Sequence, residues 1–177
     1  MNEEKSHLKY YSIKLGVYAV LAILVFLFRE PLVANLKYSI GGLMLLYGLE
    51  ELLFEIIHSR SHLLHQDKVY LGFIEILLGI VVLSVSISYE SVCIIWATWS
   101  ILREAYEVKE ILNELKRLVP KILSAVESAV IIVFSILLII EPGEHHALIH
   151  LYLLLVELIV SPLTPLLDEL LSKKKRD

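Results

Sequence analysis

Apolar residues in this chain gather into six long runs, with short polar stretches between them. The runs cover about 11–28, 37–57, 70–88, 91–108, 122–140 and 147–167. Each comes close to the roughly 20 residues that a helix needs to cross a hydrocarbon core. The first stops at Arg29-Glu30-Pro31, the fifth stops at Glu141-Pro142-Gly143, and Pro162 and Pro165 interrupt the sixth. The segment VIIVFSILLII (130–140) is apolar on every face. A helix on the surface of a soluble bundle keeps a polar stripe instead. The pattern predicts an all-α integral membrane protein whose six transmembrane helices form three helical hairpins. The first run is too long for the apolar part of a cleaved signal, and no small-x-small site follows it, so it is expected to be a span.

Composition sharpens this picture. Hydrophobic residues make up 57% of the 177, charged residues 20%, and the mean hydropathy is +0.72. Ordinary soluble domains carry about 45–50% apolar and about 25% charged residues. A net charge of −4 argues against nucleic acid as a partner, and one cysteine, Cys93, excludes a disulfide framework.

The basic residues are unevenly placed. Lys5, Lys9 and Lys14 precede or open the first span, Arg60 and Lys68 follow the second, and Lys109, Lys116, Arg117 and Lys121 join the fourth to the fifth. Lys173, Lys174, Lys175 and Arg176 close the chain. Thirteen therefore lie on one side and only Arg29 and Lys37 on the other, with Arg103 inside a span. Lysine and arginine are retained on the cytoplasmic side, so both termini are expected in the cytoplasm of a cell (inner) membrane. The expected organisation is a cytoplasmic arm at 1–10, a six-helix domain at 11–171 and a basic cytoplasmic tail at 172–177.

A repeat is also expected. Glu51, Glu104 and Glu157 are spaced by 53 residues each time, in the second, fourth and sixth spans. Leu15-Gly16-Val17 matches Leu71-Gly72-Phe73, and Glu75 matches Glu127. The turns REP, YES and EPG also correspond. Three parallel copies of a helix–turn–helix unit follow, at about 11–58, 69–112 and 121–171. The first two units read LGVYAVLAILVFLFREPLVANLKYSIGGLMLLYGLEEL and LGFIEILLGIVVLSVSISYESVCIIWATWSILREAYEV. This pattern resembles the HdeD-like family of small six-span membrane proteins, associated with acid resistance in bacteria. The resemblance implies a role in membrane stress or acid tolerance, and it supplies no catalytic residues. The third unit departs from it in lacking the glycines.

Charges inside the bilayer are costly, about 2.5–3.5 kcal/mol each on insertion scales, and usually face protein or water. Glu51, Glu75, Arg103, Glu104, Glu127 and Glu157 are such charges, and their positions put them mainly in the cytoplasmic half. One expectation is structural, with Arg103 pairing with Glu51, Glu75 or Glu127. The other is a polar vestibule whose carboxylates bind a proton or cation, as in a small transporter or channel. The runs AILVFLF, IVVL and VFSILLII would close the outer half.

Metal chemistry is a third possibility. Glu55 and His58 form an E-x-x-H, but a di-iron bundle needs a second such motif and the chain has none. His62 and His65 follow it in the same connection. On the outer side, Glu141, Glu144, His145, His146 and His150 could sense pH or bind zinc. None of the histidines is expected deep in the bundle, which disfavours haem. No H-E-x-x-H, G-x-S-x-G or phosphate loop occurs, so neither an enzyme activity nor a cofactor is expected. Trp96, Trp99, Tyr47 and Tyr106 are expected to anchor at the interface or pack between helices. The expected partner is the lipid bilayer, and Gly41, Gly42 and Gly48 offer a close helix contact that would suit a homo-oligomer.

Overall fold

The computed structural model describes residues 2–58, 66–114 and 117–173, with side chains over 11–53, 69–109, 117–168 and 170–171. Among the described residues every regular element is a helix: α1 (Asn2–Leu27), α2 (Arg29–Ala34), α3 (Leu36–His58), α4 (Gln66–Ser84), α5 (Tyr89–Glu114), α6 (Leu118–Ile140) and α7 (Glu144–Lys173). The six apolar runs become the six long helices.

Three local expectations need correction. The first outer connection is not a bare turn but contains α2. Pro31 sits in its first turn, where a missing N–H costs nothing. The Pro31 carbonyl accepts from both the backbone and side-chain nitrogens of Asn35, at 3.1 and 3.0 Å. The second connection is Val85–Ser88 rather than Ser88–Ser91. The Ser88 hydroxyl accepts the backbone N–H of Ser91 at 3.2 Å, which caps α5 and draws Tyr89 and Glu90 into the helix. Lastly, α7 does not break at Pro162 and Pro165 but continues to Lys173. Pro162 is buried, and between the two prolines the Thr164 hydroxyl donates to the Val160 carbonyl at 2.7 Å. Neighbouring helices and Ser/Thr hydroxyls commonly compensate proline in apolar surroundings.

The helices joined by the first two outer connections, α1–α3 and α4–α5, are not the ones that pack most closely. The close pairs are α3–α4, α5–α6, α1–α7 and α6–α7. So of the three predicted hairpins only the third packs along its length, and α1 closes the bundle against α7.

Glycine explains the tightest pair. A Cβ on Gly48 would lie 2.5 Å from the Gly72 carbonyl oxygen, and one on Gly79 would lie 2.8 Å from the Gly41 carbonyl oxygen. The two helices thus run antiparallel with their backbones touching at Gly41–Gly79 and Gly48–Gly72. Each glycine pair is seven residues apart in its helix, so both fall on one seam. Gly42 meets nothing within 4 Å and faces away.

Serines serve on the α5–α6 pair, where Ser124, Ser128 and Ser135 of α6 are buried and Ser128 stands beside Glu104 of α5. On α1–α7, Phe26 meets Tyr152 with ring centroids 6.5 Å apart. On α6–α7, Asp168 accepts the Arg117 backbone N–H at 2.8 Å and so ties the start of α6 to the end of α7.

The distribution of polarity is inverted relative to a water-soluble fold. Among the described residues 38 large apolar side chains are exposed, against 19 hydrophobic residues in the core. Glu75, Arg103, Glu104, Glu127, His150 and Glu157 are buried instead. Water-soluble monomers do not expose apolar surface on this scale.

Among the described residues two helical segments could cross a membrane by length and composition, Leu118–Ile140 and Glu144–Asp168, rather than the six expected. Shorter apolar stretches cover Tyr11–Leu27 and Val69–Ser84. The remaining two helices lose apolar length to their own charges: α3 carries Glu50, Glu51 and Glu55, and α5 carries Arg103, Glu104 and Glu107.

Candidate functional site: a buried arginine among carboxylates

Arg103 is the centre of the polar interior. It lies fourteen residues into α5, roughly 21 Å along the helix from its N-terminal end, and Glu157 lies at a similar distance along α7. The Arg103 Nε donates to Glu157 Oε1 at 3.2 Å, and one terminal nitrogen donates to Glu75 Oε1 of α4 at 3.0 Å. Its other terminal nitrogen is 3.8 Å from Glu107 Oε1, one turn further along α5. The guanidinium also lies over the Tyr47 ring of α3, 3.9 Å from its centroid. Four helices therefore meet on one cation.

Local sequence explains the convergence. Trp99, Arg103 and Glu107 recur at intervals of four and share one face of α5. Trp99 donates its indole N–H to Glu75 Oε1 at 3.0 Å, the same oxygen that Arg103 holds, and its ring packs edge-on against Tyr47 at 5.7 Å. A buried carboxylate that receives two donors, one of them charged, is strongly held. Of the three partners expected for Arg103, the structure shows Glu75. Glu157 is a partner that spacing alone does not reveal, whereas Glu107 stands one helical turn from Arg103 in the sequence.

Glu104, one residue on, turns away from Arg103 toward α6. It is 1% exposed, with Ser128 beside it, and its Oε2 has no hydrogen-bond partner. Glu127 of α6 is 8% exposed and neither of its oxygens has a partner. It lies in the field of Glu107, Glu157 and Glu104. Of these five carboxylates the guanidinium reaches three, Glu75, Glu157 and Glu107.

Glu51 is half-buried on α3 and adds its field to that of Glu75. Glu50 pairs with Lys14 of α1 at 2.6 Å and accepts a hydrogen bond from the Tyr18 hydroxyl. Lys14, which the sequence offered only as an orientation signal, is thus also an internal tie.

The outer cluster is not assembled as expected. His146 Nε2 lies 3.8 Å from Glu141, and the rings of His145 and His146 are 5.5 Å apart. Glu144 stands exposed in the first turn of α7. His150 leaves this group and is buried at 3% exposure, so one histidine does lie deep. Its Nε2 is 3.0 Å from the Ser100 hydroxyl, and its ring stands edge-on to Trp96 at 4.6 Å. Ser100 and His150 have the separation of a nucleophile and base, but the His150 Nδ1 has no orienting partner. The pair also puts polar atoms into the region expected to be purely apolar. Of the two roles expected for Trp96, Trp99 and Tyr47, the structure shows packing: all three are buried in the core.

Among the described residues no group of three His, Cys, Asp or Glu side chains is placed to hold a metal ion. The side chains of Glu55, His58, His62 and His65, and those of Lys5, Lys9, Arg60, Lys68, Lys116 and the basic tail, lie outside the described residues. No family model, curated protein or solved structure matches this chain.

Proposed function

We propose that this chain is an integral membrane protein whose six long helices all cross the bilayer, with both termini in the cytoplasm, and that it serves membrane stress or acid tolerance without catalysing a covalent reaction. The observation that carries this reading is the inverted polarity: apolar residues cover the outside and charges fill the inside. In the helices that fall short in apolar length, Glu75, Arg103 and Glu104 are buried, so lipid would still meet an apolar face there. The thirteen-to-two asymmetry in basic residues supports the orientation. The role in acid tolerance rests on the resemblance to the HdeD-like family, with its three-hairpin repeat. The test is alkaline carbonate extraction of membranes together with reporter fusions before Met1 and after Asp177. Retention in the pellet with both reporters cytoplasmic is expected. Release into the supernatant, or reporters on opposite sides, overturns the proposal. Acid survival of cells with and without the chain tests the physiological role.

A second reading is favoured by the excess of buried carboxylate over cation around Arg103. It makes the bundle a small transporter or channel for protons or cations. Proton flux into proteoliposomes separates the two readings.

A further inference from the structure

Glu127 differs from the other carboxylates of the cluster. Glu75 and Glu157 are held by Arg103, and Glu107 lies near its remaining nitrogen. Glu104 has one oxygen without a partner. Glu127 is 92% withdrawn from the surface and has no hydrogen bond at either oxygen. The next residue, Ser128, is buried at 1% exposure beside Glu104.

α6 packs against α5 and α7. The ionisable groups that face Glu127 from α5 are Glu104 and Glu107, and from α7 Glu157. All are acidic, while Arg103 directs its nitrogens to Glu75, Glu157 and Glu107. An ionised carboxylate in such a place would lack a donor and be repelled by three neighbours. Uncompensated burial of a charge costs several kcal/mol. A proton on the Glu127 carboxyl removes that cost. Since no three metal-ligating groups converge among the described residues, the chemistry favours a proton over a metal ion.

We infer that Glu127 is the carboxyl at which this bundle binds a single exchangeable proton. The proton adds to the Glu127 carboxylate from water and returns to water. It travels past Glu107, whose side chain is partly exposed at 19% and lies seven residues from the end of α5. The inference rests on the second reading above and identifies the proton as the species handled.

The test is infrared difference spectroscopy of the full chain in lipid vesicles, titrated across pH. The wild type is expected to show the C=O stretch of a protonated carboxylic acid at neutral pH, bleaching at alkaline pH. Glu127→Gln is expected to lose that band, while Glu30→Gln, at an exposed carboxylate, keeps it. Should Glu127→Gln fail to accumulate, Glu127→Asp is expected to shift the band. Absence of the band from the wild type overturns the inference, as does a band left unaltered by the Glu127 substitutions. Proton flux is read separately. A wild type with the band but no flux overturns the transport reading and supports the proton site.

Discussion

Replacing Gly48 with alanine tests the closest helix contact in the molecule. The added methyl would sit 2.5 Å from the Gly72 carbonyl oxygen, 2.8 Å from Ile76 Cγ1 and 2.9 Å from the Ile76 backbone nitrogen. Two of the three obstacles are backbone, so no rotamer change relieves them. An ordinary contact of 3.4 Å requires α3 and α4 to separate locally by about 0.9 Å. A gap of that size forfeits roughly a quarter to a half of the dispersion energy of each pair of atoms it opens. Overpacking of this kind typically costs about 1–3 kcal/mol. Alanine returns up to about 1 kcal/mol through its higher helix propensity. The net expectation is a loss of about 1–2 kcal/mol.

Gly42 provides the control, because a Cβ there meets nothing within 4 Å, and Gly42→Ala should be neutral or slightly stabilising. Thermal unfolding of the two variants side by side, in one detergent, reads the difference. Equal melting temperatures for Gly48→Ala and Gly42→Ala would refute the backbone-to-backbone seam. A separation of α3 from α4 would also be felt at Tyr47 and Glu75, which lie on these helices.

Arg103→Gln should destabilise by about 3–5 kcal/mol, because it strands Glu75 and Glu157 without their cation. The double variant with Glu75→Gln should recover part of that loss in a denaturation assay. Trp99→Phe keeps the ring but removes the indole N–H from Glu75, and should cost about 1–3 kcal/mol by the same measurement. Ser88→Ala removes the cap of α5 and should cost about 1 kcal/mol, with more rapid amide exchange at Ser91. The Glu90 carboxyl is held below the usual carboxylate range by its own backbone N–H and the Ser88 hydroxyl. The unfolded chain therefore takes up the Glu90 proton at higher pH than the folded chain. The small stabilisation from this group is present above the ordinary carboxylate range and fades as pH falls through it. Glu90→Gln should flatten that part of the pH–stability curve.

The six helices were legible because each apolar run is long and bounded by proline, glycine or charge. Their ends were less so. The charged flanks of α5 and α7 extend those helices to Glu114 and Lys173, beyond the apolar residues that announced them. Proline misled in two ways: at 31 it starts a short helix, and at 162 and 165 it rides within one. Charge within the apolar runs singles out Glu51, Glu75, Arg103, Glu104, Glu127 and Glu157; Glu51 is half-buried and the other five are buried. Partner choice was not available from spacing, since it depends on which helices adjoin. The sequence suggested hairpin neighbours, and the closest contacts instead run α3–α4, α5–α6 and α1–α7. That is why Glu157 is not among the partners the sequence offers Arg103, why Tyr47 and Trp99 read there only as anchoring or packing residues, and why His150 is grouped with a cluster it does not join. Gly41 and Gly48 were recognised as small-residue contacts, and the structure uses both inside the chain against Gly79 and Gly72.

The α1–α7 pairing has a consequence for how the molecule is made. From Leu27 to Glu144 the ribosome must add roughly 115 residues, about 6–20 s of synthesis at ordinary elongation rates. Throughout that interval the first helix is without its principal neighbour. Whatever shelters nascent apolar segments must therefore shelter this one longest, and a transcript truncated before α7 would yield a product with its first helix permanently orphaned.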